Sequence, residues 1–264
     1  MKLNSNWKTK TYKYSAFSLL DENKYVFDGN GFEINGDDKV VHILTIHNCK
    51  NCIVKNVNFI RGNTEALKNI KRENIPYRKE KQSVFEIIDG GAVVITGNSN
   101  VAFEKCKFID NKSIMCGGAI SNQSKGVIIF KSCYFENSIA GHTGSAIDNL
   151  TKDSNVEIIN CKFKNNISNT WHQYGYPHGQ ISLFPYTKAT ISNSEFIEGS
   201  IPFDYYSTSK VILDNNKYLD YKEWKEDHII LRKGSIIIDN IKMFSKMYWV
   251  LPKIFGNVIF RINV

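Results

Sequence analysis

The 264-residue sequence contains no run approaching the roughly 18 apolar residues that a membrane-spanning helix needs, and nothing in it reads as a membrane span. Proline is scarce, at five residues, and methionine at four, so collagen-like and low-complexity classes are excluded. Intrinsic disorder is excluded as well, because 42% of the residues are hydrophobic and only 23% charged, enough to build one sizeable core. The segment Met1-Lys-Leu-Asn-Ser-Asn-Trp-Lys-Thr-Lys10 starts basic but lacks the apolar stretch and small-residue cleavage site of a secretory signal. It leaves localisation open between an internal protein and an extracellular or cell-surface one whose signal has been removed.

What the chain does have is positive charge, cysteine and a repeat. A net charge of +8 favours acidic partners: uronate polysaccharides, nucleic acid or anionic membrane surfaces. Aromatics interleaved with basic residues are a nucleic-acid signature, but here the repeat gives the Phe residues interior places first, so no nucleic-acid partner is expected. Six cysteines would allow three disulfides.

One eight-residue phrase, apolar-x-apolar-x-polar-small-x-aromatic, occurs at 52–59, 101–108, 128–135, 156–163, 189–196, 211–218 and 236–243. Its first and third positions alternate with period two, the mark of a strand with one buried face. The fifth position (Asn56, Lys105, Ser132, Asn160, Asn193, Asn215, Asn240) is a bend, where a short amide can bond to the turning backbone. The sixth and eighth positions form two interior columns. One contains Cys106, Cys133 and Cys161, about 4.8 Å apart along a ladder, which predicts packed thiols instead of disulfides. The other holds Phe59, Phe108, Phe135, Phe163, Phe196, Tyr218 and Met243.

A second motif follows four of the phrases: Gly90-Gly-Ala-Val93, Gly117-Gly-Ala-Ile120, Gly144-Ser-Ala-Ile147 and, degenerately, His178-Gly-Gln-Ile181. Three short strands per coil leave no room for the helical crossover of a doubly wound sheet, which needs a dozen or more residues. The expected fold is therefore all-β: a single-domain right-handed parallel β-helix, three-faced, of about eight coils. Residues 1–24 and 245–264 are expected to cap its two ends, with 25–244 forming the coils, because an open coil would expose an edge. The apolar Met247-Tyr-Trp-Val-Leu-Pro-Lys-Ile-Phe255 is either part of that cap or an oligomer contact.

Gly-Gly-Ala-Ile combined with Phe108-Ile-Asp-Asn111 and Phe163-Lys-Asn-Asn166 resembles the repeats of chlamydial polymorphic outer-membrane proteins and of methanogen adhesin-like proteins. More distantly it is similar to the pectate-lyase-like superfamily. The resemblance implies the β-helix fold over residues 25–244 and an adhesin-like, carbohydrate-binding role. Phe27-Asp28-Gly-Asn-Gly31 resembles the Asp-Gly-x-Gly turn of first coils in such proteins, with Asp28 as a turn former.

Two long loops should wall the first sheet. Residues 63–83 carry Lys68, Lys71, Arg72, Arg78, Lys79 and Lys81, read either as a solvated excursion or as a cationic wall in which Lys71 and Arg72 hold sugar carboxylates. Residues 167–179 concentrate Trp171, His172, Tyr174, Tyr176 and His178. Aromatic faces such as Trp171 and Tyr176 stack on sugar rings, and His172 or His178 can act as acid or base.

Tyr174-Gly-Tyr-Pro-His178 resembles the Tyr-Gly-Phe-Asp-Pro-His signature of mannuronan C5-epimerases, without its Asp; the resemblance implies Tyr174 and His178 as the acid/base pair. His142-Thr-Gly144 is similar to the Gly-His-Gly of polygalacturonases, but the Asp pairs and Arg-Ile-Lys of those enzymes are absent.

The positions after Gly-Gly-Ala-Ile (Val94, Ser121, Asp148, Ser182, Asp204) should face outward, so Asp148 and Asp204 are expected at the same groove, Asp148 as a solvated carboxylate, a sugar-positioning group or a Ca²⁺ ligand. No cofactor is otherwise called for. Cys49-Lys-Asn-Cys52 has the spacing of half a zinc site with no second pair to complete it. Two functions remain: a surface module binding an acidic polysaccharide or cell-surface glycan, and a lyase or C5-epimerase acting on a uronate-containing glycan.

Overall fold

The computed structural model describes residues 1–71, 88–169, 178–205 and 209–219. Every strand pairing among them is parallel, and the strands fall into three sheets visited in rotation. The first sheet runs Lys13–Leu20, Val40–His47, Val93–Thr96, Ile120–Asn122, Ile147–Asn149, Ile181–Leu183, Phe203–Tyr205. The second runs Val26–Asp28, Cys52–Lys55, Val101–Glu104, Val127–Lys131, Asn155–Ile159, Lys188–Ser192, Lys210–Asp214. The third runs Trp7–Lys8, Glu33–Asn35, Asn58–Ile60, Lys107–Ile109, Tyr134–Glu136, Lys162–Ser168, Glu195–Gly199, Lys217–Leu219.

Chain order through these sheets is that of a parallel β-helix, and the near-universal right-handed sense of parallel crossovers gives its hand. Seven coils are complete in the described residues. The phrase expected at 236–243 and the apolar segment 245–264 lie outside them. Within residues 1–24, expected as a cap, Trp7–Lys8 and Lys13–Leu20 run in the sheets themselves. Trp7 packs on Phe17 and Phe17 on Phe27, each at 5.7 Å, so aromatic rings line that end of the core.

The repeat phrase maps onto this frame position by position. Val101 and Phe103 are buried while Ala102 and Glu104 are half-exposed, so alternate side chains fill the core. The fifth position is the bend between second and third sheets: Asn56, Lys105, Ser132, Asn160, Asn193 and Asn215 all hold φ between 50° and 55°. That left-handed conformation costs Asn least among residues with a Cβ, which is why Asn fills most of the column.

The interior columns follow. Rings of Phe59, Phe108, Phe135, Phe163 and Phe196 stack at 5.1, 4.7, 4.8 and 4.8 Å with planes within 10° of parallel. Cys106, Cys133 and Cys161 are buried free thiols that donate to Val54, Phe103 and Phe130 carbonyls one coil back. Burial pushes the Cys106 and Cys161 thiols well above their ordinary range. Cys52 likewise lies in the core.

Polar residues also climb the interior where the backbone needs partners. The Asn166 amide donates to the Phe135 carbonyl and its oxygen accepts from the Ser138 N–H, and Asn111 does the same with Phe59 and Gly62. On the first sheet Asn122 and Asn149 are bonded side by side, and Asn149 passes on to Ser154 at 2.6 Å. Asp28 is a turn former as expected, its carboxylate accepting from the Asn30 N–H at 2.9 Å.

Candidate functional site

Both long loops leave the third sheet and enter the first: residues 61–92 follow Asn58–Ile60, and 169–180 follow Lys162–Ser168. The described start of the former is a 3₁₀ helix, Thr64–Asn69, capped by the Asn63 side chain accepting from the Glu65 N–H. Ala66 packs with Tyr14 and Val41, so this helix sits on the outer face of the first sheet near the N-terminal end. Lys71 is exposed just beyond it. Arg72, Trp171, His172, Tyr174 and Tyr176 lie outside the described residues.

The strand register lines up Thr45, Val94, Ser121, Asp148, Ser182 and Asp204 as one row of the first sheet. These residues stand apart from the hydrophobic core. They are not solvated, however, which corrects the expectation of an open carboxylate: Asp148 is 0% exposed. The cause is the Gly motif. Gly144 at φ +62° doubles the chain back over the strand so closely that a Cβ there would lie 2.7 Å from Asp148 Cβ. Gly117 and Gly90, also at positive φ, cover Ser121 in the same way.

The residue preceding each motif then points into the covered row. The Thr143 hydroxyl donates to Asp148 Oδ1 at 2.9 Å, and its oxygen lies 3.2 Å from Cys116 Sγ. The Cys116 N–H donates to Asp89 Oδ1 at 2.9 Å. Asp148 Oδ2 and Asp89 Oδ2 are buried without a hydrogen bond.

Burial, then the charge of Asp89, drives the Asp148 carboxyl far above the usual carboxylate range, with Thr143 and Ser182 opposing and Asp204 adding. Burial pushes Asp89 up to about 7 against the Cys116 N–H bond. The Cys116 thiol is raised too, by burial and by the Asp148 and Asp89 charges, and is no nucleophile at neutral pH.

At the C-terminal end of the row, Asp204 clamps the start of the fourth motif. Its Oδ1 accepts from the Gly179 N–H at 3.1 Å and its Oδ2 lies 3.3 Å from His178 Nδ1. The His142 ring lies on that of His178, 4.8 Å away and tilted by 35°. His142 is exposed whereas His178 is buried. Partial burial and the neighbouring His178 hold His142 below the ordinary histidine range, and Asp204 pulls it back upward.

Of the residues singled out in the sequence, Asp148, Asp204 and His178 thus gather on one face. His142, set aside for want of a polygalacturonase pattern, joins them. Asp89 and Cys116 escaped notice, though with Thr143 they occupy one repeat position, immediately before Gly90, Gly117 and Gly144. Among the described residues no group of three or more His, Cys, Asp or Glu is placed to hold a metal ion.

The chain is therefore a parallel β-helix protein with a covered cluster of titratable groups on the outer face of one sheet. No protein-family model matches it, and no curated protein matches it. It aligns with solved structures of QnrB1, a plasmid-mediated fluoroquinolone resistance protein. A trypsin-treated variant gives 13% identity over 92% of this chain and 98% of that one, with a TM-score of 0.27. The full-length form gives 13% over 90% and 99%, with a TM-score of 0.24. At such scores the likeness carries no argument, and the fold rests on the strand ladders.

Proposed function

We propose that this β-helix is an acid–base enzyme acting on a uronate-containing polysaccharide over the outer face of its first sheet. The observation that carries the reading is the exposed His142 resting on His178, which Asp204 fixes, one side of a row containing the buried Asp148. Structural ion pairs do not need buried carboxyls lacking partners, and such groups gather where a site needs protons placed.

In this reading His142 is the base. Held neutral at neutral pH, it takes the C5 proton of the uronate. The electron pair left at C5 then either expels the O4 substituent, giving an unsaturated sugar, or recovers a proton on the opposite face, giving the epimer. His178 keeps the acid/base part implied by the epimerase resemblance, and Tyr174 its partner role. The net charge of +8, with Lys71 and Arg72 on the adjoining loop, supports an anionic substrate, and Trp171 and Tyr176 supply sugar-stacking faces.

A non-catalytic glycan-binding, adhesin-like module is the second reading. It is favoured by the regular polar ladder at the bend, where Asn215 donates to Asn193 at 2.7 Å and Asn160 to Ser132 at 3.1 Å. A panel of acidic polysaccharides incubated in D₂O separates the two. The enzyme reading expects unsaturated ends by ultraviolet absorbance or deuterium at C5; binding with neither establishes the module.

A further inference from the structure

The outer face of the second sheet carries a pattern that the interior repeat does not require. Its middle row reads Val26, Ile53, Ala102 and Ile129 on four successive rungs, side chains that alternate with the buried ones and stay half-exposed or exposed. Two residues further along each strand the row reads Asp28, Lys55, Glu104 and Lys131, charges that alternate in sign. Lys55 reaches Asp28 at 3.6 Å, while Glu104 and Lys131 form no ion pair among the described residues. An apolar stripe facing water favours cover, and a row of charges beside it restricts what can provide that cover.

We propose that this face pairs with the same face of a second copy of the chain, as an isologous two-fold dimer with the solenoid axes antiparallel. A two-fold axis lying in the contact plane along the strand direction keeps each row opposite itself and reverses the order of the rungs. With that axis midway between the Ile53 and Ala102 rungs, Asp28 of each copy faces Lys131 of the other and Lys55 faces Glu104, while Ile53 faces Ala102 and Val26 faces Ile129. Every charge of the row then meets its opposite. The row on the other side of the stripe agrees, since Asn51 falls opposite Asn100. Sliding one copy by a single rung puts Lys55 on Lys55 and Asp28 on Glu104, or Lys55 on Lys131 and Glu104 on Glu104, so the charges also fix the register.

Packed sheets lie about 10 Å apart, a gap that Val and Ile side chains fill and that Lys and Glu side chains span. Four rungs about 4.8 Å apart and five residues across present roughly 300 Å² on each copy. That is below the size of a permanent interface, so the dimer forms reversibly with concentration and weakens as salt screens its charges. The first sheet is another face of the solenoid and stays uncovered in both copies, so the pairing neither needs nor blocks the site on it.

Sedimentation velocity of the full chain over a concentration series tests the pairing. The native chain should move from monomer towards dimer as concentration rises, and the shift should shrink with added salt. Lys55→Glu alone and Glu104→Lys alone each place like charges at the centre of the contact, and each should weaken self-association about tenfold or more. Mixed in equal amounts, the two variants restore both opposite pairs across the contact, so the mixture should associate as the native chain does. That recovery also shows that each variant is folded. A native chain that stays monomeric at every concentration, either variant dimerising as tightly as the native chain, or a mixture that stays monomeric overturns the proposal.

Discussion

The ring of Phe135 lies 4.8 Å from that of Phe163 with the two planes 2° apart. That distance is the spacing between hydrogen-bonded strands, so the stack is the side-chain image of the backbone ladder, and each ring is clamped by its neighbours above and below. Phe135 also meets Phe130 edge-on at 5.7 Å, tying the third sheet to the second. Truncation leaves a cavity that neighbouring coils cannot close without breaking register. Phe135→Ala should cost about 3–5 kcal/mol, read as a lowered urea midpoint; an unchanged midpoint would place the ring outside the core.

The cysteine column predicts a chemical phenotype. Cys106, Cys133 and Cys161 are buried with thiols bonded to backbone carbonyls. They should stay reduced under non-reducing mass spectrometry and react with a thiol reagent only as fast as the protein opens. Prompt modification of all three in the native state would contradict the alignment of the coils.

Asp89 gives stability a pH dependence whose sign is fixed. Its carboxyl titrates at about 7 in the fold and near 3.8 in the free side chain, so across that window the native state binds a proton that the unfolded chain does not. Stability should therefore fall by a few kcal/mol as pH rises from about 4 to about 7, then level off as far as this group is concerned. Asp89→Asn should flatten that slope in denaturant titrations at several pH values. A variant whose slope matches the native protein would mean that Asp89 is not protonated in the fold.

Gly144 tests the covering of the row. A side chain at φ +62° is strained, and its Cβ would meet the Ile147 carbonyl at 2.5 Å and Asp148 at 2.7 Å. Gly144→Ala should lower stability by about 1–3 kcal/mol, whereas Gly31→Ala should cost less, since a Cβ at Gly31 meets nothing within 4 Å.

The fold was legible because a solenoid writes its period into the sequence. The alternation at Val101 and Phe103, the bend at Asn160 and the Phe column each recur at one position of every coil. The site was legible only in part. Asp148 and Asp204 could be assigned to one row from the repeat, but the burial of Asp148 depends on how sharply Gly144 folds back, a matter of backbone angle that no residue pattern states. His142 and His178 belong to successive turns of unequal length, 34 residues apart from Gly144 to His178, so their contact emerges only when the coils are stacked. Asp89 carried no signal of its own in the sequence, and its place becomes visible only with Cys116 and Thr143 at the same position of successive coils.

The central claim is that His142 acts as a base on an acidic sugar, and the rate of C5 hydrogen exchange on a uronate polysaccharide, followed against pH in D₂O, tests it most directly. The account predicts exchange by the native protein with an acid limb below the ordinary histidine range, because burial and His178 hold His142 down. The limb should move lower still in Asp204→Asn, which removes the charge that pulls His142 upward, and exchange should be lost in His142→Ala with glycan binding kept. Exchange that survives His142→Ala at the native rate, or a native protein that binds the glycan and exchanges nothing, would contradict it.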